Sequence, residues 1–518
     1  VTHPLPRLVL LALLAAGAAH AQSSVERPVA LSVAEDAQGA LGLETAEGAR
    51  LYADGRAAAL AFRLGEARGH FARLGALEPA APAGAYGLES VALWEALLTE
   101  RDSHYDRFYA LNDSLQAFAD GLGTPAGRLA GATAKLHRAL AMGRQERYAR
   151  AGLAFKDACG RFRDLTDRPD PAPDALFGQG VCEVAAGSVP RTYRWLARLF
   201  GFSGSVAGGM DRLDAAASGG GAHAVEALIA LAVTDVTLNE RRAGTVDRVA
   251  AVARARPGSP LLAYFEGYLL LLDRRPVEAE AALRRAADAL AEPGTADLPF
   301  VASHLGTALF RQDRFEEAAP LLEGYARSFR GEALVAQALL RAGIAYEMTG
   351  DRRRAEALYR RVRANRDYDT DLAAEREARR RLDAPMTDAE RALVLGETAF
   401  DAGRYDDAVR TLQPVVTDGA LPASQRAEAA YRTGRAYQAL GDAPQALRHF
   451  RLAIDRPGDP LAKWGPWSVY HAAEVHEAAG DAAEARRLYE RVLEDEGEFD
   501  YHKALEQRTR TALERLGR

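Results

Sequence analysis

Small, apolar and aromatic residues in the C-terminal half of the chain recur in a fixed order. Gly434, Tyr437, Gly441, Ala446, Phe450 and Ala453 follow one another at steps of 3, 4, 5, 4 and 3, and Gly343, Tyr346, Gly350, Ala355, Tyr359 and Val362 keep the same steps. Steps of three and four place side chains on one face of a helix, and the central glycine marks a turn between two such faces. Each unit is therefore predicted to be two short antiparallel helices that bury their apolar faces only by stacking on like units. Partial copies are Gly267, Leu270, Ala279, Leu283, Ala286; Gly306, Leu309, Asp313, Ala318, Leu322; Gly396, Gly403, Ala408, Leu412, Val415; and Ala473, His476, Gly480, Ala485, Tyr489, Val492. The constant seven-residue step from small residue to turn separates this pattern from generic alanine-rich helices.

The units start near residues 260, 299, 336, 389, 427 and 466, mostly 37 to 39 apart. The longer gap after 336 holds a charged helix pattern, Asp371 to Leu382, ended by Pro385, and the C-terminus repeats it over His502 to Leu516. Asp367-Tyr368 and Asp500-Tyr501 stand before these two stretches. Units one to three lie about 129 residues before units four to six, which suggests a duplicated block of three hairpins plus one helix, 260–384 and 389–518. Upstream, residues 44–257 read as divergent hairpins. Ala67, Phe71 and Leu74 share one face before Pro79. Trp94, Tyr105, Phe108, Tyr109 and Phe118 mark a longer aromatic pair over 86–122, and 222–257 gives another hairpin. β-branched alternation is scarce, so no sheet is expected.

These residues resemble the tetratricopeptide-repeat family, whose units carry small residues at close helix crossings, aromatics that fill the gaps, and a turn between helices. The resemblance covers residues 260–499 and implies an all-α, right-handed superhelical solenoid of antiparallel helix hairpins. It also implies that the first helix of each hairpin lines a concave groove that holds a protein or peptide. Projecting that geometry onto this chain nominates Tyr264, Tyr268, Phe310, Glu347, Glu397, Phe400, Tyr431, Arg435, Gln438, Trp467, Tyr470 and Glu474. Tyr431, Arg435 and Gln438, at i, i+4 and i+7, are expected to form a shared exposed stripe.

Residues 190–221 interrupt the pattern. Arg191, Arg194 and Arg198 oppose Trp195, Leu196, Leu199 and Phe200 on an amphipathic helix, and a glycine-rich insert, 201–221, follows. Helix 190–202 is either a membrane-surface contact or an aromatic wedge in the solenoid. Pro190, Leu196, Leu199, Gly201-Phe202-Ser203-Gly204, Gly209 and Leu213 also resemble a eukaryotic repeat family of the mitochondrial outer membrane, a likeness that lends no function here.

Composition adjusts this picture only slightly. Hydrophobic residues make up 48% and charged residues 27%, enough for a continuous core with a solvated surface. The net charge of −6 argues against nucleic acid as a partner. Arginine predominates, with lysine only at 135, 156, 463 and 503, which reads as coding bias. Arg7, the apolar run Leu8 to Ala19 and Ala19-His20-Ala21 have the form of a signal peptide over 1–21. The expected product is exported, periplasmic or extracellular, with residues 22–43 an ill-ordered leader. Cys159 and Cys182 flank the turn Asp167 to Asp174 almost symmetrically; an oxidising compartment would permit a disulfide, two buried thiols being the alternative.

Catalytic chemistry finds no motif. The glycine-rich stretch lacks GxxxxGK[S/T], Ser203 and Ser205 lack the strand-turn-helix of a nucleophile elbow, and no zinc spacing occurs. His476 starts a HExxH-like string that ends in Gly480 and is expected in the core, while Asp174 is expected as a helix N-cap in a solvated turn. No cofactor, metal or catalytic residue is nominated. The reading that results is a non-catalytic exported scaffold for protein or peptide partners. The alternatives are a peripheral envelope protein touching membrane through 190–202, and an enzyme with its site in 86–221.

Overall fold

The structure is a computed structural model that describes residues 41–517 apart from residue 170 and residues 189–203, 239–243, 366–368, 456–461, 496 and 498. The expected signal peptide, residues 22–40 of the expected leader and the helix expected over 190–202 lie outside the described residues. Those described form 24 α-helices and no strand.

The helices run as consecutive antiparallel pairs: α1 (Ala46–Leu60) with α2 (Leu64–Leu77), α3 (Ala83–Thr99) with α4 (Asp102–Leu122), α5 (Pro125–Arg144) with α6 (Tyr148–Thr166), and α7 (Pro173–Gly187) with α8 (Val206–Ser218). Next come α9 (Ala224–Leu238) and α10 (Thr245–Arg254), α11 (Pro260–Leu272) and α12 (Pro276–Leu290), α13 (Phe300–Phe310) and α14 (Phe315–Ser328), and α15 (Val335–Met348) and α16 (Arg352–Tyr359). The extra helix α17 (Asp369–Asp383) precedes α18 (Asp388–Asp401) with α19 (Tyr405–Thr417), α20 (Ala423–Leu440) with α21 (Ala443–Ile454), and α22 (Trp464–Ala478) with α23 (Ala482–Glu494). The last helix, α24 (His502–Leu516), falls on the stretch its pattern predicts. Two compact units result: residues up to Leu269 with Ala282–Pro299, and Leu270–Ala281 with Phe300–Arg518.

The repeat pattern has a direct steric cause. The small residue of the first helix faces the large residue sixteen positions later on the second. A Cβ on Gly343 would stand 2.4 Å from the Tyr359 ring, one on Gly396 2.4 Å from Leu412, one on Gly434 2.7 Å from Phe450, and one on Gly306 2.7 Å from Leu322. At these four crossings the helices lie so close that even a Cβ would displace the buried side chain, so glycine alone leaves room there. Burying such a side chain stabilises the pair by about 1.5–3 kcal/mol.

Seven residues after the small position the backbone turns through positive φ, where a side chain is strained. Glycine fills this seat at Gly350, Gly403, Gly441 and Gly480, whereas Arg274 (φ 60°) and Asp313 (φ 61°) fill it in the first two units. The second helix then starts on a capping aspartate in three units: Asp351, Asp442 and Asp481 each accept from the backbone N–H three residues on.

The same register appears in two upstream hairpins. Gly55, Ala58, Phe62 (φ 56°), Ala67, Phe71 and Leu74 reproduce every step in α1–α2, and a Cβ on Gly55 would meet the Phe71 ring at 2.7 Å. In α5–α6 the series is Ala139, Met142, Glu146 (φ 60°), Ala151, Phe155 and Ala158, all but Glu146 buried.

The leader bounds and the place of His476 need correction, and the insert and the cysteine pair gain detail. Leu41 and Leu43, assigned to the leader, are buried. Within the glycine-rich insert, residues 206–218 form a regular helix. A Cβ on Gly209 would lie 2.6 Å from the Val184 nitrogen and one on Gly180 2.9 Å from the Gly209 carbonyl, so these glycines serve a backbone-to-backbone crossing of α7 and α8. His476 is half-buried and pairs with Asp481 at 3.3 Å. Cys159 on α6 and Cys182 on α7 are joined in a disulfide, their Cα atoms 5.7 Å apart.

Candidate partner-binding face of the second unit

In the second unit the first helices of successive hairpins meet along one face, and side chains cross between them. Arg311 pairs with Asp401 at 3.1 Å, and Asp313 accepts from Arg404 at 2.7 Å and from the Thr398 hydroxyl. Arg391 donates to the Met348 carbonyl at 2.9 Å, and Arg432 pairs with Glu397 at 3.1 Å. Arg274 lies over the Phe400 ring from one side of this face and Arg435 from another, at 4.4 and 5.3 Å.

At its C-terminal end the face carries a continuous polar chain. Arg435 donates to His471 Nε2 at 2.8 Å, His471 Nδ1 donates to Glu474 at 2.7 Å, and Gln438 donates to the same carboxylate at 3.1 Å. Acceptance at Nε2 and donation from Nδ1 describe a neutral imidazole. Burial, with Arg435 alongside, pushes the His471 pKa down to about 4. Burial opposes the charge on Glu474, yet His471 and Arg435 hold its pKa well below the usual carboxylate range. Among the described residues, two buried donors beside this chain, Trp467 Nε1 and Arg435 Nε, have no hydrogen-bond partner.

A tetratricopeptide-repeat family model matches residues 304–370 and 393–460, and a second matches 467–496. These stretches of the chain are tetratricopeptide repeats. No curated protein sequence matches it. Among solved structures, yeast Tom70 is 11% identical, covering 83% of this chain and 89% of its own, with a TM-score of 0.30. The P58(IPK) repeat domain is 13% identical over 91% of this chain and 98% of its own (TM-score 0.21), and human IFIT1 13% over 79% and 88% (TM-score 0.31).

Placed on this repeat array, the predicted groove residues fall into two groups. Glu397, Phe400, Arg435, Gln438 and Glu474 are partly exposed on the face where first helices meet. Phe310, Tyr431, Trp467 and Tyr470 are buried, Tyr470 to 1%. The expected Tyr431–Arg435–Gln438 stripe is therefore no open stripe: the next hairpin brings Trp464 to 5.3 Å from Tyr431 and His471 onto Arg435. Glu347 is buried as a structural hub, accepting from the Tyr359 hydroxyl at 2.8 Å, from Arg352 at 2.6 Å and from the Met386 amide at 2.9 Å. Tyr264 and Tyr268 belong to the first unit, where their rings stack 6.3 Å apart. Residues that the projection missed include His471, Arg341, Arg432, Lys463 and Trp464. Their role arises from neighbouring repeats and has no signature within one.

The first unit holds a different cluster in the region considered for an enzyme. Asp174 accepts from His223 Nδ1 at 2.7 Å and from the backbone of His223 at 2.8 Å and Ala222 at 3.2 Å, while His223 Nε2 faces the Tyr86 hydroxyl. Asp174 thus ties two segments together in the core and is not the N-cap, which is Ala172. Arg56 and Glu226 pair beside it at 2.7 Å. Asp174, His223 and Tyr86 are all buried, the arrangement of a satisfied core network. Among the described residues no three metal-ligating side chains gather, and no helix is long and apolar enough to cross a membrane.

Proposed function

We propose that this tetratricopeptide-repeat protein is an exported, non-catalytic scaffold that holds a protein or peptide partner against the face lined by first helices of its second unit. The observation that carries this reading is the partly exposed row Glu397, Phe400, Arg435, Gln438 and Glu474, in which a guanidinium, an amide and two carboxylates flank an aromatic ring. Aromatic and arginine side chains contribute most to protein recognition, and alternating polar groups set register. Export is supported by the charged, apolar and small-residue order of residues 7–21 and by the bridged pair Cys159–Cys182, which fits an oxidising compartment.

Glu397, 49% exposed, is the better probe than Arg435, which is engaged with His471. Immobilised protein should capture a defined set of proteins from an envelope extract, and Glu397→Lys should reduce that capture with an unchanged melting temperature. Identical captures by the two proteins would refute the reading.

A further inference from the structure

Charge is unevenly paired along the face of the second unit. Among the described residues, Arg274, Arg435, Lys463 and Arg508 have no carboxylate within ion-pair distance. Each rests instead on an aromatic ring. Arg274 and Arg435 lie over Phe400 at 4.4 and 5.3 Å, Lys463 over Trp464 at 5.1 Å and Tyr501 at 4.5 Å, and Arg508 over Trp467 at 5.4 Å. All four cations are partly exposed. Ring contacts join them into one row: His471, which accepts from Arg435 at 2.8 Å, has its ring 5.8 Å from Trp467 and 5.9 Å from Tyr431, and Tyr431 is 5.3 Å from Trp464.

The carboxylates beside this row are each engaged. Glu397 and Glu428 both pair with Arg432, at 3.1 and 2.8 Å, Asp401 pairs with Arg311 at 3.1 Å, and Glu474 accepts from His471 and Gln438. The row therefore carries spare positive charge in a chain whose net charge is −6. A ring face steadies a cation but leaves its charge unneutralised, so these groups are pre-organised for an anion. The carboxylates interleaved with them suit sparse negative charge. A nucleic-acid backbone, with one charge about every 1.7 Å, would press phosphates onto Glu397 and Asp401 as well. An extended peptide sets carboxylates two residues apart on one side, about 6.5–7 Å from each other, and can pass between those acids.

We propose that Arg274, Arg435, Lys463 and Arg508 receive an extended acidic segment of the partner protein, its carboxylates on the four cations and its side-chain stems across Phe400 and Trp464. This rests on the scaffold reading and deepens it by giving the partner's chemistry. Glu397 holds Arg432 in place, 5.1 Å from the Trp464 ring. A lysine at 397 repels Arg432 and disorders that part of the row, so the loss of capture expected of Glu397→Lys is compatible with an acidic partner. Each partly exposed charge pair contributes up to about fivefold in affinity.

The test uses the full chain and a fluorescent synthetic peptide of alternating glutamate and serine, about ten residues long. Fluorescence anisotropy should show binding at an ionic strength of about 0.02 M that weakens roughly tenfold by about 0.2 M, as the Debye length contracts from about 20 Å to under 10 Å. The matching glutamine–serine peptide should not bind. Lys463→Gln and Arg508→Gln should each weaken the glutamate peptide by up to about fivefold and add when combined, with an unchanged melting temperature, while Arg508→Lys should retain binding. If the combined variant unfolds, the single variants and the salt series decide the matter. No binding of the glutamate peptide, equal binding of the glutamine peptide, or losses no larger than in Arg410→Gln on the second-helix side overturns the proposal. So does tighter binding of a single-stranded oligonucleotide of equal charge. If the peptide fails while Glu397→Lys still reduces envelope capture, only the acidic chemistry is wrong; if both fail, the scaffold reading falls with it.

Discussion

Replacing Gly343 with alanine should destabilise the second unit, whereas the same change at Gly324 should stabilise it. Both glycines lie inside helices of that unit, and alanine is favoured over glycine in a helix by about 1 kcal/mol. At Gly324 nothing lies within 4 Å of an added Cβ, so the propensity gain of roughly 0.5–1 kcal/mol should appear in full. At Gly343 the added carbon stands 2.4, 2.7 and 3.0 Å from three ring carbons of Tyr359. Carbon atoms rest at about 3.5–4 Å, so the ring or the helix must retreat by roughly 1 Å. Tyr359 is poorly free to move: it is 2% exposed and its hydroxyl is bound to Glu347, which also holds Arg352 and the Met386 amide. Overpacking a held site costs about 2–3 kcal/mol, leaving a net loss of roughly 1–2 kcal/mol after the propensity gain. Amide hydrogen exchange across α15 and α16, with urea midpoints alongside, reads this locally. Effects of the same sign at the two glycines would refute the close-crossing explanation of the repeat.

Further outcomes follow from other contacts. Cys159 and Cys182 are 23 positions apart, and closing a loop of that size in the unfolded chain is worth about 3 kcal/mol; Cys159→Ala/Cys182→Ala, or reduction, should lower the urea midpoint accordingly. His471 has its folded pKa lowered to about 4, so the stability it confers is complete above its unfolded value near 6.5 and is lost as pH falls towards 4. Stability of the second unit should therefore drop by roughly 1–3 kcal/mol across that window, with a shallower slope in His471→Asn, read by urea titration at each pH. Asp371 is the opposite case: burial raises its pKa to about 6, so its contribution is complete below its unfolded value near 4 and lost as pH rises through 6. Asp371→Asn should raise stability at pH 8 by up to about 3 kcal/mol and leave it unchanged at pH 3.5.

The hairpins were readable because one steric event, a small residue under a large one sixteen positions on, leaves a trace within a single unit. The same event is fainter in α1–α2 and α5–α6, where Phe62 and Glu146 at the turn seat carry no turn signal of the kind that glycine or Asp313 gives. Buried polar groups were less legible. Asp174 looks like a capping aspartate until Ala222 and His223, nearly fifty residues later, bring their amides to it. The binding face was legible in kind and only partly in residues. Projecting one hairpin identifies which positions point away from its own partner helix, but it cannot show that the next hairpin will cover Tyr431, Trp467 and Tyr470.

The most direct test of the account is photo-crosslinking from two positions on the second unit. A photoreactive amino acid at Phe400, on the face where first helices meet, should give discrete adducts with envelope proteins. The same group at Arg410, 75% exposed on the second helix of that hairpin, should give none. Adducts formed equally from both positions, or from Arg410 alone, would contradict the claim that the partner lies against the first helices.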